Sequence, residues 1–175
     1  MKELNSVTGK QNNFDSITMS KNTDKFLKHL DNSIETMWTC ARFLYSQGYS
    51  VKINSMKKTK NYKDWRKYAD NGDLEIWVEG VSKRIEVKGL SYDFTNKEDF
   101  PFPVLIVCAS HSWDMAEPKP FAYIIFNKKR THVAIVYGKD KSNWAIERKF
   151  DKRYDDYAQE FYVTSLDKVV WKAIG

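Results

Sequence analysis

The sequence predicts an α/β protein built on a mixed sheet, one helix followed by a β-meander with a central mixed sheet. Three observations carry that expectation. Leu30, Ile34, Met37, Ala41 and Leu44 recur in alternating steps of four and three, the spacing of a helix with one buried stripe. Tyr49, Val51 and Ile53 then alternate with polar residues, as in a half-buried strand. Leu74, Ile76 and Val78, followed across Gly80 by Ile85 and Val87, repeat that two-residue period in two strands around a turn.

The elements come in chain order. Residues 1–20 are rich in Asn, Ser, Thr and Lys and are expected to form a flexible arm, leaving 21–175 as a single domain. Asn22-Thr23-Asp24 offers caps for a helix over 24–47, and Gly48 is placed to end it. A strand at 49–53 leads to a basic, aromatic stretch at 55–71, expected to be a loop with a short helix. The hairpin comes next, then an irregular connection over 89–103 ending in Phe100-Pro101-Phe102-Pro103. Val104 to Ala109 is a continuous apolar run, which predicts a central strand covered on both faces. Phe121–Phe126 and Thr131–Tyr137 predict a second hairpin. The last forty residues read as a mixture of short elements, with a strand and a short helix both open for 165–174.

Composition bounds the function. The chain has 175 residues, 42% of them apolar, with ten Phe, ten Tyr and six Trp, enough for a full core. A net charge of +6 favours polyanionic partners. Cys40 and Cys108 sit among apolar neighbours and read as core residues, with no disulfide expected. No Cys/His zinc spacing, signal-peptide core or bilayer-length apolar run is present, so a cytoplasmic, non-membrane protein is expected, in the host cytoplasm if viral.

The hairpin holds the chemistry. Burying Leu74, Ile76, Ile85 and Val87 together forces Asp73, Glu75, Glu86 and Lys88 onto the opposite face. A turn over Glu79 to Ser82 sets Asp73 opposite Lys88, Glu75 opposite Glu86 and Trp77 opposite Arg84; the alternative register sets Asp73 opposite Glu86. Three carboxylates on one patch repel unless a cation offsets them, and a hard cation such as Mg²⁺ takes oxygen ligands while keeping several waters. A salt-bridged, solvated face of an ordinary amphipathic hairpin is the plain alternative.

The order helix, strand, Asp and Glu-x-Lys hairpin, then apolar strand resembles the PD-(D/E)xK nuclease superfamily over about residues 24–136. Gly72-Asp73 stands where that family has Pro-Asp, and Glu86-Val87-Lys88 where it has (D/E)xK. The resemblance implies a restriction-endonuclease-like core and an Mg²⁺-dependent DNA endonuclease, with Mn²⁺ as a substitute. It implies Asp73, Glu86 and Val87 at the metal, Lys88 acting on the water or phosphate, and Glu35 as a glutamate from the first helix; Glu75 competes for that place. One departure is visible. The family's helix after the (D/E)xK strand has no counterpart in the helical periodicity of 89–103. Small nuclease-like proteins of phages and mobile elements are similar in compactness.

Lys57, Lys58, Lys60, Lys63, Arg66 and Lys67, interleaved with Tyr62, Trp65 and Tyr68, are the candidate DNA contacts. A homodimer is compatible with cutting both strands. Two other classes stay open: a non-catalytic nucleic-acid-binding module on the same core, and a protein-binding modulator using Trp113, Trp144 and Tyr154 as exposed aromatics. His111-Ser112-Trp113-Asp114 is no triad, because adjacent residues rarely supply triad geometry.

Overall fold

The computed structural model describes residues 32–54, 72–151 and 157–175. The expected arm, the basic stretch 55–71 with its six candidate DNA contacts, and Tyr154 lie outside the described residues. The chain divides into two compact units, Met1–Glu35 and Thr36–Gly175. Of the first, only 32–35 are described, and they are helical. Every strand among the described residues belongs to the second unit.

Helix α1 is described over 32–46 and ends at Gly48, whose φ of +88° suits a residue without a side chain. Strands β1 (Val51–Ile53), β2 (Leu74–Val78) and β3 (Val81–Gly89) follow as an antiparallel meander. The β2–β3 turn is shifted by one residue from a turn over Glu79 to Ser82. Only Glu79 and Gly80 connect Val78 to Val81, both at positive φ (50° and 77°), as a two-residue type I′ turn requires. Leu74 therefore pairs with Ile85, Glu75 with Arg84 and Trp77 with Ser82. This is the alternative register, the one that continues to Asp73 opposite Glu86.

Strand β4 (Val104–Ala109) leads into the six-residue helix α2 (Ser110–Met115). Strands β5 (Ala122–Phe126) and β6 (His132–Tyr137) form the expected second hairpin. A 3-10 helix, Gly138–Asn143, precedes β7 (Ala145–Asp151) and β8 (Tyr157–Ser165). A last 3-10 turn, Leu166–Lys168, precedes β9 (Val170–Ala173). Residues 165–174 thus contain both a short helical turn and a strand.

Six strands form a mixed sheet in the order β1-β2-β3-β5-β6-β9, with β3 and β5 parallel and the other neighbours antiparallel. A parallel pair needs a long crossover, and here the crossover carries β4 and α2. Three strands form a second sheet, β4-β8-β7. The central strands are β5 and β6, not β4. Every residue of β5 is buried, with Ala122, Ile124 and Phe126 in one core and Tyr123 and Ile125 in the other. The first core packs Met37, Cys40, Ala41 and Leu44 of α1 against Leu74, Ile76 and Ile85. The second packs Leu105, Val107, Trp113, Trp144 and Tyr162 against the opposite face of β5 and β6.

Two expectations are corrected. Strand β4 is an edge strand, with Ile106 37% exposed. Its register shifts between Ile106 and Cys108, so the adjacent Val107 and Cys108 are both buried. An irregularity of that kind breaks the two-residue period and makes a half-covered strand read as a doubly covered one. The C-terminal segment does mix elements, with two 3-10 turns and the four-residue β9, around the seven- and nine-residue strands β7 and β8 that pair with each other. Trp113 and Trp144 are buried, so they offer no exposed aromatic surface.

Gly138 marks where the crossover meets the sheet. Its N–H donates to the Phe121 carbonyl at 2.8 Å, and a Cβ there would fall far inside contact of the Pro120 carbonyl oxygen. Backbone cannot give way as a flexible side chain can. Gly138→Ala is expected to cost about 1–3 kcal/mol, read as a lower urea midpoint with unchanged slope. An unchanged midpoint would show that the crossover can move freely at this point.

Candidate functional site

Asp73 immediately precedes β2, on a bend set by Gly72 at φ +101°. In an antiparallel ladder the two residues of a hydrogen-bonded pair exchange both bonds. Two residues beyond Leu74–Ile85, the Val87 N–H would find the Gly72 carbonyl. Instead Val87 N–H donates to Asp73 Oδ2 at 2.7 Å, and the Gly72 carbonyl accepts from Asn54 Nδ2 at 2.9 Å. The Asp73 carboxylate thus continues the ladder and lies against the middle of Glu86-Val87-Lys88. Burial pushes the Cys40 thiol well above its ordinary pKa, and the Asp73 charge adds to that rise.

Arg84, Glu86 and Lys88 share the face of β3 opposite Ile85, and all three line a cavity of about 120 Å³. Cys108 of β4, Ser112 of α2, Pro120 and Tyr123 of β5 complete its wall. Glu86 Oε1 accepts from Arg84 Nε at 2.7 Å and meets Nη2 at 2.6 Å. Lys88 Nζ donates to the Val107 carbonyl at 2.5 Å and stands 5.5 Å from the centre of the Tyr123 ring. Burial raises the Tyr123 phenol far above its ordinary range, and the bond to Cys108 raises it further. Burial likewise raises the Cys108 thiol. Both groups are neutral near pH 7, so the charge in the cavity wall belongs to Arg84, Glu86 and Lys88.

Glu75 lies apart from this cavity. Its carboxylate accepts from Lys52 Nζ at 3.0 Å and Ser82 Oγ at 2.9 Å, and those two bonds hold it below its usual pKa. Position on the right face did not suffice, because Lys52 of β1 stands directly beside it. Glu35 is an exposed residue of α1 in the first unit. Asp114 accepts from the Tyr162 hydroxyl at 2.9 Å and His111 meets Gln159 at 3.1 Å, so the two serve separate contacts to β8.

Among the described residues, no group of three His, Cys, Asp or Glu side chains converges as a metal site. Two carboxylates and one carbonyl remain. A strand residue's N–H and C=O point to the same flank, so Val87, whose N–H meets Asp73, turns its carbonyl to that side as well. Asp73, Glu86 and the Val87 carbonyl would offer oxygen donors only, the kind that Mg²⁺ or Mn²⁺ takes with water in its remaining positions.

Sequence reasoning passed over Arg84, Tyr123, Cys108, Ser112 and Pro120 as cavity residues. The signal for Arg84 was present, since Arg84, Glu86 and Lys88 alternate on one face. For the others there was none, because they arrive through the crossover and the parallel pairing of β3 with β5. No protein-family model, curated protein or solved structure matches this chain.

Proposed function

We propose that this protein is a metal-dependent endonuclease of the PD-(D/E)xK kind, hydrolysing phosphodiester bonds in DNA on a restriction-endonuclease-like core. The observation that carries the reading is the 2.7 Å bond from Val87 N–H to Asp73, which joins the aspartate to the middle of the Glu-x-Lys tripeptide. The sheet supports it as well. A mixed sheet with an acidic residue at the second strand and Glu-x-Lys on the third agrees with the arrangement the resemblance implies. The departure seen in the sequence stands: 90–103 carries no helix, and the short α2 follows β4 instead.

Asp73, Glu86 and the Val87 carbonyl would hold Mg²⁺. When bound, the cation supplies a lower pKa for a coordinated water and a positive charge for a phosphate oxygen. The chain's own residues do the rest. Lys88, anchored by the Val107 carbonyl, keeps its ammonium in the cavity wall, where it stabilises charge gathering on the phosphate in the transition state. Asp73 is held still by a main-chain bond, which limits the reorganisation needed during the reaction. Tyr123 and Cys108, neutral and buried, wall the cavity on its inner side and restrict water there.

One observation favours a second reading. Arg84 already neutralises Glu86, as a permanent substitute for a cation would. On that reading the protein is a non-catalytic nucleic-acid-binding module, binding DNA with steep salt dependence. Plasmid cleavage decides between them. The wild type is expected to nick or linearise plasmid with Mg²⁺ and not with EDTA, and Glu86→Ala is expected to remove that activity while leaving the folded spectrum intact. Salt-sensitive DNA binding with no cleavage in Mg²⁺ or Mn²⁺ would establish the second reading instead.

A further inference from the structure

We propose that Arg84 is an exchangeable counter-ion for Glu86, holding that carboxylate in the cation-free protein and yielding it when a divalent cation binds. The proposal rests on the nuclease reading and assigns a control on the same site.

Three features of the geometry carry it. Arg84 grips a single oxygen. Nε and Nη2 both converge on Glu86 Oε1, at 2.7 and 2.6 Å, whereas the strongest arginine–carboxylate pairs make two parallel bonds to two oxygens. Both side chains are mostly withdrawn from water, at 13% and 22% exposure. An unpaired charge there is costly, so Arg84 yields the carboxylate only as an incoming cation takes its place.

Second, the arginine has a made-to-measure seat. Its stem crosses Gly72, where a Cβ would lie 2.6 Å from Arg84 Cγ and 2.7 Å from Nε. The residue before Asp73 must therefore lack a side chain for Arg84 to reach Glu86 in this conformation. Third, there is room to leave. The cavity of about 120 Å³ lies alongside Arg84. Its guanidinium can turn into that space while the Arg84 main chain, whose carbonyl accepts from Phe121 N–H at 2.8 Å, stays in place.

Competition for one carboxylate lowers the apparent affinity of the incoming cation by the fraction of sites that Arg84 leaves open. Arg84 is a positioning residue on this account, acting through Glu86. A purely structural arginine predicts the opposite sign, because losing a partner that orients a metal ligand weakens metal binding.

Mn²⁺ alone is the probe, titrated without DNA into the full chain and followed by the electron paramagnetic resonance of the free ion. Arg84→Gln is expected to bind Mn²⁺ about tenfold more tightly than wild type, the lower end of what partners of metal ligands are worth. Arg84→Lys, which keeps the charge, is expected to stay nearer to wild type. A second measurement on the wild type keeps the test open if Arg84→Gln does not fold: added Mg²⁺ is expected to shift the Arg84 Nε–H nuclear magnetic resonance signal as its 2.7 Å bond to Glu86 opens. Glu86→Gln is expected to lose binding. If Glu86→Gln binds poorly while Arg84→Gln binds no more tightly than wild type, or Mg²⁺ binds wild type without moving the Arg84 signal, the counter-ion proposal falls and the nuclease reading stands. If Glu86→Gln binds Mn²⁺ as wild type does, Glu86 is no ligand, and both fall together.

Discussion

Lys88→Met is expected to lower Mg²⁺-dependent cleavage at saturating DNA by about 10²- to 10³-fold, the loss seen when one donor to a developing oxyanion is removed. Methionine keeps an unbranched stem along the cavity wall and removes the ammonium. The structural cost is separable. Lys88 Nζ donates to the Val107 carbonyl, so its loss strips a partner from a buried residue of β4. That should cost about 1–3 kcal/mol, visible in urea unfolding and too little to unfold a domain of ordinary stability. The two readouts separate a charge that acts on substrate from one that braces β4 against β3. A variant that is destabilised yet cuts as fast as wild type would leave Lys88 with the bracing role alone.

The largest expected change in stability comes from the strand beneath the site. Phe126 is fully buried, at the end of β5 between its partners Gly89 and Val133. Its ring belongs to the core that joins α1 to the sheet, and its carbonyl accepts from Leu90 N–H at 2.9 Å, where the crossover leaves β3. Phe126→Ala removes a large side chain from a strand with no solvent face to relax into, so about 3–5 kcal/mol should be lost. The urea midpoint should fall accordingly. Since the parallel β3–β5 pair positions Tyr123 against Lys88, cleavage should become unusually heat-sensitive as well. A loss below about 1 kcal/mol, the scale of a small surface change, would mean that Phe126 is not packed as described.

The first half of the fold was legible because its periods were clean. Leu74, Ile76, Ile85 and Val87 alternate without interruption, and burying them puts Arg84, Glu86 and Lys88 on one surface whichever register is chosen. The register itself was not legible. It depended on Glu79 accepting a positive φ beside Gly80, a conformation that residue type does not announce. Strand β4 misled for a related reason. An irregular step between Ile106 and Cys108 buries two consecutive residues, and in a sequence that resembles cover on both faces.

The membership of the site divides along the same line. Asp73, Glu86 and Lys88 were readable because one hairpin carries them all, and local geometry alone brings them together. Glu75 looked equivalent, yet Lys52 and Ser82 claim it; neighbours across strands decide which carboxylate is spent on a salt bridge. Arg84, seated over Gly72, became a partner of Glu86 only through a close approach of side chain to backbone. The sequence by itself determined the face on which the charged residues stand, since period-two alternation is a local property of the chain. Only the tertiary structure decided what that face looks onto. Tyr123, Cys108 and Ser112 come from a parallel strand and its crossover, and contacts between distant segments leave no periodic trace in the segments themselves.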